Sequence, residues 1–268
     1  MTMTAVPPTR ATARGAGTFP VTAAATRRSL RAVFRSPALL ITPFAQSLFF
    51  LLVYAGQLGD VGSSYLDDQS FIAFLLPLIV LTGVATGAGA AGTMTLGDIT
   101  SGYLDRLRMA HGTATPFLAG TLIATLVAVS VQALLTTGGA MLVGYRPTGW
   151  AETFAMVGLM LVLGLAVALF SIAVAVHTVS SSTTGLVPLA FFGLSFFTGV
   201  FAPVEELSGW MQAIATVNPL TYIIDTAREL ESGTVPSAGP VAVGLLLVLV
   251  VAGLISCALA LHRARRRR

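Results

Sequence analysis

Apolar residues gather in six long runs separated by shorter polar segments, covering positions 38–58, 71–95, 117–144, 153–176, 183–202 and 240–261. About 20 apolar residues carry an α-helix across the hydrocarbon core of a bilayer, so each run predicts one transmembrane helix. No Asp, Glu, Arg or His lies in the interior of any run. Pro43, Pro77 and Pro188 do lie inside runs, which membrane helices tolerate when neighbours satisfy the freed carbonyls. Ahead of the first run, Leu30, Val33 and Phe34 share one helical face while Arg27, Arg28, Arg31 and Arg35 fall largely on the other. That pattern predicts a short helix lying in the membrane interface, either as a plain charge anchor or with a docking role.

Two polar intervals carry further pattern. Between the second and third runs, Leu104 and Leu107 share a helical face, as do Asp105 and Arg108. A short amphipathic helix fits there, and an ordinary solvated loop is the alternative. After the fifth run the chain is too polar for a clean span and too apolar for a free loop. Leu207, Trp210, Met211 and Ile214 mark one short helix, Asn218-Pro219 a turn, and Leu220, Ile223, Ile224 and Ala227 a second helix. This reads as a re-entrant or interfacial hairpin, with Trp210 and Tyr222 as interface anchors, or as a simple amphipathic cap.

Charge placement orients the spans. All 15 basic residues are arginine; thirteen of them fall in the N-terminal segment, the 98–116 loop and the C-terminal tail. Only Arg146 and Arg228 fall in the other loops, beside nine of the 11 acids. The positive-inside rule then places both termini in the cytoplasm, which requires an even number of spans. The expected fold is all-α: a polytopic protein of six transmembrane helices, cytoplasmic N- and C-termini, an interfacial N-terminal helix and an outer re-entrant hairpin before the last span. Residues 1–26 read as a disordered cytoplasmic tail with no cleaved signal peptide, 27–262 as the transmembrane domain and 263–268 as a basic tail.

Composition narrows the chemistry. The 268 residues are 55% hydrophobic and 10% charged, against about 25% charged in soluble domains. Without lysine there is no P-loop and no Schiff base. The single Cys257 excludes an internal disulfide and a multi-cysteine metal site. Gly87-Ala88-Gly89-Ala90-Ala91-Gly92 matches a dinucleotide fingerprint but lies within a span, where small residues let helices approach closely. Ser195 has no histidine at its depth, since His111, His177 and His262 all lie at span ends; an intramembrane hydrolase is therefore disfavoured. An ion-coupled secondary multidrug transporter remains the functional alternative, although it calls for intramembrane ionisable groups that the spans lack. A membrane scaffold without transport is a weaker option. Gln46 and Gln132 are the amides well inside spans, as interhelical hydrogen bonders or as polar groups along a pathway.

Taken together, these residues resemble the permease subunits of ABC-2 type ABC transporters, in particular the daunorubicin/doxorubicin-resistance type of drug exporter. The outer segment is similar to that family's signature through Gly199, Phe201, Pro203, Trp210, Asn218, Pro219, Leu220, Thr221, Tyr222 and Arg228. The 98–111 segment resembles its coupling helix through Asp98, Gly102, Asp105, Arg106 and Arg108. Two positions depart from the pattern: His111 stands near a usual Pro, and Leu207-Ser208 replaces Leu-Pro.

The resemblance implies a permease without catalysis, cofactor or metal of its own. ATP and Mg would be bound by cytoplasmic ABC ATPase subunits. Asp98, Gly102, Tyr103, Leu104, Asp105, Arg106, Leu107 and Arg108 would form the ATPase-coupling element. A second copy or a sister permease, and membrane lipid, would complete the partners, with no nucleic acid. The expected cargo is an amphipathic drug, natural product or lipid, moved out of the cell across the plasma membrane.

Overall fold

The computed structural model describes residues 18–63, 71–111, 113–199 and 204–266. Every regular element among them is helical: α1 (Thr18–Arg35), α2 (Ala38–Ser63), α3 (Phe71–Thr100), α4 (Tyr103–His111), α5 (Thr115–Leu142), α6 (Trp150–Thr178), α7 (Ser181–Ser195), a 3-10 turn (Val204–Glu206), α8 (Gly209–Val217), α9 (Pro219–Glu231) and α10 (Gly239–Arg266). Five of these, α2, α3, α5, α6 and α10, are long and apolar enough to cross a membrane.

The sixth expected span, 183–202, is not one long helix. α7 has 15 residues, about 22 Å at 1.5 Å per residue, short of the roughly 30 Å hydrocarbon core. It stops at Ser195, and Gly199 turns the chain with φ +64, a conformation that costs glycine little. Hydropathy misses this break because Phe196, Phe197 and Val200 keep the composition apolar.

α3 and α6 form the centre of the bundle, with α2, α5, α7, α9 and α10 around them. Leu75, Leu76, Ile79 and Leu81 of α3 and Met156, Met160, Leu163 and Leu169 of α6 are fully buried. Small residues decide how close the helices come. A methyl on Gly89 would sit 2.7 Å from Pro188 of α7, and one on Gly92 2.7 Å from the Ser171 carbonyl of α6. The dinucleotide-like run is therefore a packing surface, with its glycines turned toward different neighbours.

Two expected boundaries fall inside helices. α1 begins at Thr18, ahead of the expected start at 27, and buries Val21, Ala25, Ser29 and Val33 in one i, i+4 stripe against α5. Of the three residues read as its apolar face, only Val33 is buried; Phe34 is exposed. At the crossing, a methyl on Gly120 of α5 would meet Ala25 at 2.8 Å. At the other terminus α10 continues through Arg263 to Arg266, past the expected end of the domain at 262. Residues 1–17 lie outside the described residues.

Arg263 in the last turns of α10 lines the same cavity as Leu104 of α4 and His177 of α6, and α1 reaches the end of α3 beside α4. The two ends of the described chain thus lie at one end of the bundle, called here the Arg-rich end. α9 and the starts of α3 and α6 meet at the far end.

Candidate functional site

The Arg-rich corner between α3 and α4 is built from three helices. α3 ends at Thr100, and Gly102 at φ +69 turns the chain into α4. Asp98, in the last turn of α3, is 6% exposed and faces Arg28 of α1. The guanidinium grips it in a fork, Nη1 donating to Oδ2 at 3.0 Å and Nη2 to Oδ1 at 2.5 Å. The same guanidinium lies 3.8 Å from the centre of the Tyr103 ring. Hydrogen bonding to Asp98 holds Arg28 above its ordinary pKa, although partial burial opposes this. Arg28 thus joins the end of α3 to the first residue of α4, a role that no spacing in the sequence announces.

This geometry divides the residues expected to contact an ATPase. Asp98 is engaged within the chain, and Leu104 is 4% exposed under α4. Tyr103, Asp105, Leu107 and Arg108 are half-buried. Asp105 and Arg108 line a cavity of about 210 Å³ between α4, the end of α6 and the end of α10, shared with His177 and Arg263. Arg106 is exposed, and Met109, which the expected coupling set omits, is 79% exposed. Among the described side chains of α4, Arg106 and Met109 face outward; Leu104 and Arg108, like Asp98 of α3, turn into the bundle.

The far-end hairpin is held mainly by backbone carbonyls. Asn218 caps α9 by accepting from the Leu220 N–H at 3.0 Å, and its Nδ2 donates to the Leu194 carbonyl at 2.8 Å, tying the turn to the end of α7. Pro219 follows as the first residue of α9, where its missing N–H costs nothing. Thr221 and Tyr222 donate back to the carbonyls of Ala215 and Thr216 at 2.8 and 2.9 Å, closing the hairpin. Arg228 is held on all sides. Nε donates to the Phe74 carbonyl, Nη2 to the Gly199 carbonyl and Nη1 to Asp225, each at 3.2 Å, and the group stacks 3.8 Å over the Phe74 ring.

The hairpin's two helices behave differently. Leu220, Ile223, Ile224 and Ala227 of α9 are fully buried among α3, α6 and α10. On α8, Trp210 is 64% exposed and Ile214 faces outward with it. One arm thus enters the bundle while the other turns its apolar face to the surroundings. Phe201 and Pro203 lie outside the described residues.

At the end of α9, Glu231 is 3% exposed and accepts from the Tyr145 hydroxyl and, at 3.3 Å, from Thr153 of α6. Its other oxygen has no partner among the described residues. The two intramembrane amides are engaged between helices: Gln46 Oε1 accepts from Thr86 at 3.2 Å, and Gln132 Nε2 donates to Ser47 at 3.5 Å. They join α2 to α3 and α5, and the arrangement is that of interhelical hydrogen bonding. Among the described residues no group of three His, Cys, Asp or Glu side chains could hold a metal ion.

Residues 21–232 match the family model described as ABC-2 type transporter. The chain is 30% identical over 233 residues to the "Daunorubicin resistance ABC transporter permease protein DrrB1" of Streptomyces coeruleorubidus, covering 85% of this chain and 80% of that relative. It is 24% identical over 245 residues to the "Probable doxorubicin resistance ABC transporter permease protein DrrC" of Mycobacterium tuberculosis, covering 90% and 87%. With five apolar helices of spanning length, these likenesses make it a multi-pass protein of the plasma membrane. The chain belongs to the ABC-2 type transporter family.

Proposed function

We propose that this chain is the permease subunit of an ATP-driven exporter that moves an amphipathic drug, natural product or lipid out of the cell. ATP and Mg²⁺ are bound by separate cytoplasmic ABC ATPase subunits, which dock on α4. Two permeases, identical or sister chains, form the path. The names of the two drug-resistance relatives support the class of cargo.

The observation that carries this reading is the α3–α4 corner. A short helix between two spans is anchored from below by Leu104 and at its start by the Arg28 stack on Tyr103, yet presents Arg106 and Met109 outward. Such an element suits a push from outside the membrane. Arg106 offers a charge-assisted contact and Met109 an adaptable apolar one. Movement of α4 reaches α3 through Gly102 and α1 through Arg28, so the spans move as rigid bodies. The Arg-rich end is cytoplasmic in this reading, which the arginine distribution supports.

Affinity capture of the detergent-solubilised protein from its native membrane tests the proposal. A stoichiometric partner carrying a P-loop, lost on Arg106→Ala, is the expected result. Capture without any ATPase, together with proton-dependent transport, would favour the secondary carrier instead.

A further inference from the structure

The outward flank of α1 forms an apolar trough with α5. Phe19 and Phe34 stand at its two ends, 84% and 56% exposed, and Ala23, Thr26, Leu30 and Ile123 lie between them. Its volume is about 620 Å³. Thr26 returns its hydroxyl to the Thr22 carbonyl at 2.9 Å, which leaves the trough without a demanding polar group there. Arg27 and Arg31 belong to the same trough, one helical turn apart and both exposed. Neither forms an ion pair with any described residue.

α1 is fixed from its other sides. The Val21, Ala25, Ser29 and Val33 stripe is packed in the bundle, and Arg28 is committed to Asp98. The trough is consequently a preformed surface with an apolar body and two cations that no described residue pairs. Arginines one turn apart stand about 6 Å from each other on a helix, close enough for both to donate to one phosphate.

We infer that this trough binds an anionic phospholipid, with an acyl chain along Ala23, Thr26 and Leu30 and the phosphate between Arg27 and Arg31. Charge selects the occupant. The arginine-rich end is the one the positive-inside rule assigns to the cytoplasm, and the cytoplasmic leaflet carries the anionic lipids. A zwitterionic lipid fills the apolar part equally well but brings no net charge to the two arginines. The inference does not depend on transport or on an ATPase.

Native mass spectrometry of the full chain in detergent, with added dioleoylphosphatidylglycerol or dioleoylphosphatidylcholine, reads the preference directly. The wild type should retain phosphatidylglycerol over phosphatidylcholine. Arg27→Gln with Arg31→Gln should weaken phosphatidylglycerol binding by roughly thirtyfold, the combined effect of two arginines near an anionic surface. Phosphatidylcholine binding should stay unchanged. Ala23→Trp, which fills the trough and keeps both arginines, should weaken both lipids, and it carries the test alone if the double variant does not fold. Equal retention of the two lipids by the wild type overturns the inference. So does undiminished phosphatidylglycerol binding in the double variant or in Ala23→Trp.

Discussion

Arg28 of α1 and Asp98 of α3 are 70 positions apart in the chain and meet in a two-pronged ion pair. The Asp98 side chain is 8% exposed and the Arg28 side chain 43%, so solvent screens one partner and not the other. Removing either leaves the other's charge uncompensated, and Asp98 suffers more because water cannot reach it. A double-mutant cycle of Arg28→Gln and Asp98→Asn, followed by thermal unfolding in detergent, should give a coupling of about 1 kcal/mol, within the usual range for contacting groups. Additive losses from the two single variants would show that the fork contributes nothing as a pair.

The corner makes a sharper prediction about α4. Leu104→Ala removes a buried side chain and should cost about 2–5 kcal/mol of stability. Arg106→Ala and Met109→Ala touch only exposed groups and should leave thermal stability within about 0.5 kcal/mol of wild type, while reducing capture of an ATPase. If Arg106→Ala and Met109→Ala retain the partner in full, the docking face of α4 lies elsewhere.

How far the sequence discloses this fold depends on what each residue faces. Hydropathy locates α2, α3, α5, α6 and α10 because lipid-facing and core-facing side chains are alike apolar. It misplaces α1 for the same reason. In a membrane, packed faces favour small residues over the most hydrophobic ones: Ala25 and Ser29 face the bundle while Phe19 and Phe34 do not. An Ala/Thr-rich stretch therefore reads as a tail although it forms two turns of packed helix. The hairpin signature is legible as a motif, but the task of Arg228 is not, since two of its partners are backbone carbonyls, at Phe74 and Gly199, which have no sequence identity. Likewise Asp105, Arg106 and Arg108 are all expected in the coupling element, whereas helical rotation turns Arg108 toward α6 and α10 and leaves Arg106 outside.

Arg228→Lys should be nearly as damaging as Arg228→Gln. A lysine keeps the charge but has no planar fork with which to reach the Phe74 carbonyl, the Gly199 carbonyl and Asp225 together. Leaving the carbonyls unpaired in a buried site costs about 1–3 kcal/mol each. Thermal unfolding in detergent of the two variants checks this, and a Lys variant that unfolds with the wild type would mean that charge alone sustains the hairpin.

Two glycine substitutions separate close packing from helix propensity. In Gly92→Ala the new methyl meets Thr184 at 2.5 Å and the Ser171 carbonyl at 2.7 Å. The backbone oxygen cannot swing aside, so an overpacking loss of about 1–3 kcal/mol is expected. Gly158→Ala, with nothing within 4 Å of the new methyl, should be neutral or stabilising by up to about 1 kcal/mol. Equal effects on melting temperature would remove close approach as the reason for glycine at position 92.

Glu231 gives the protein a pH dependence of defined sign. Burial at the end of α9 takes its carboxyl away from water and raises its pKa from 4.5 to about 7; its hydrogen bonds from described residues reach only one carboxyl oxygen. The folded state therefore binds this proton more tightly than the unfolded chain does. Its stabilising contribution is fully present below pH 4.5 and is lost as pH rises through about 7. Glu231→Gln keeps an acceptor for Tyr145 and Thr153 but cannot ionise, so its melting temperature should not carry this decline. Wild type and variant should converge below about pH 4.5, diverge as pH rises from there, and differ by a constant amount above pH 7, with Glu231→Gln the more stable of the two. Parallel melting curves for the two proteins between pH 5 and pH 8 would show that Glu231 is already ionised throughout and that its buried oxygen finds a partner when charged.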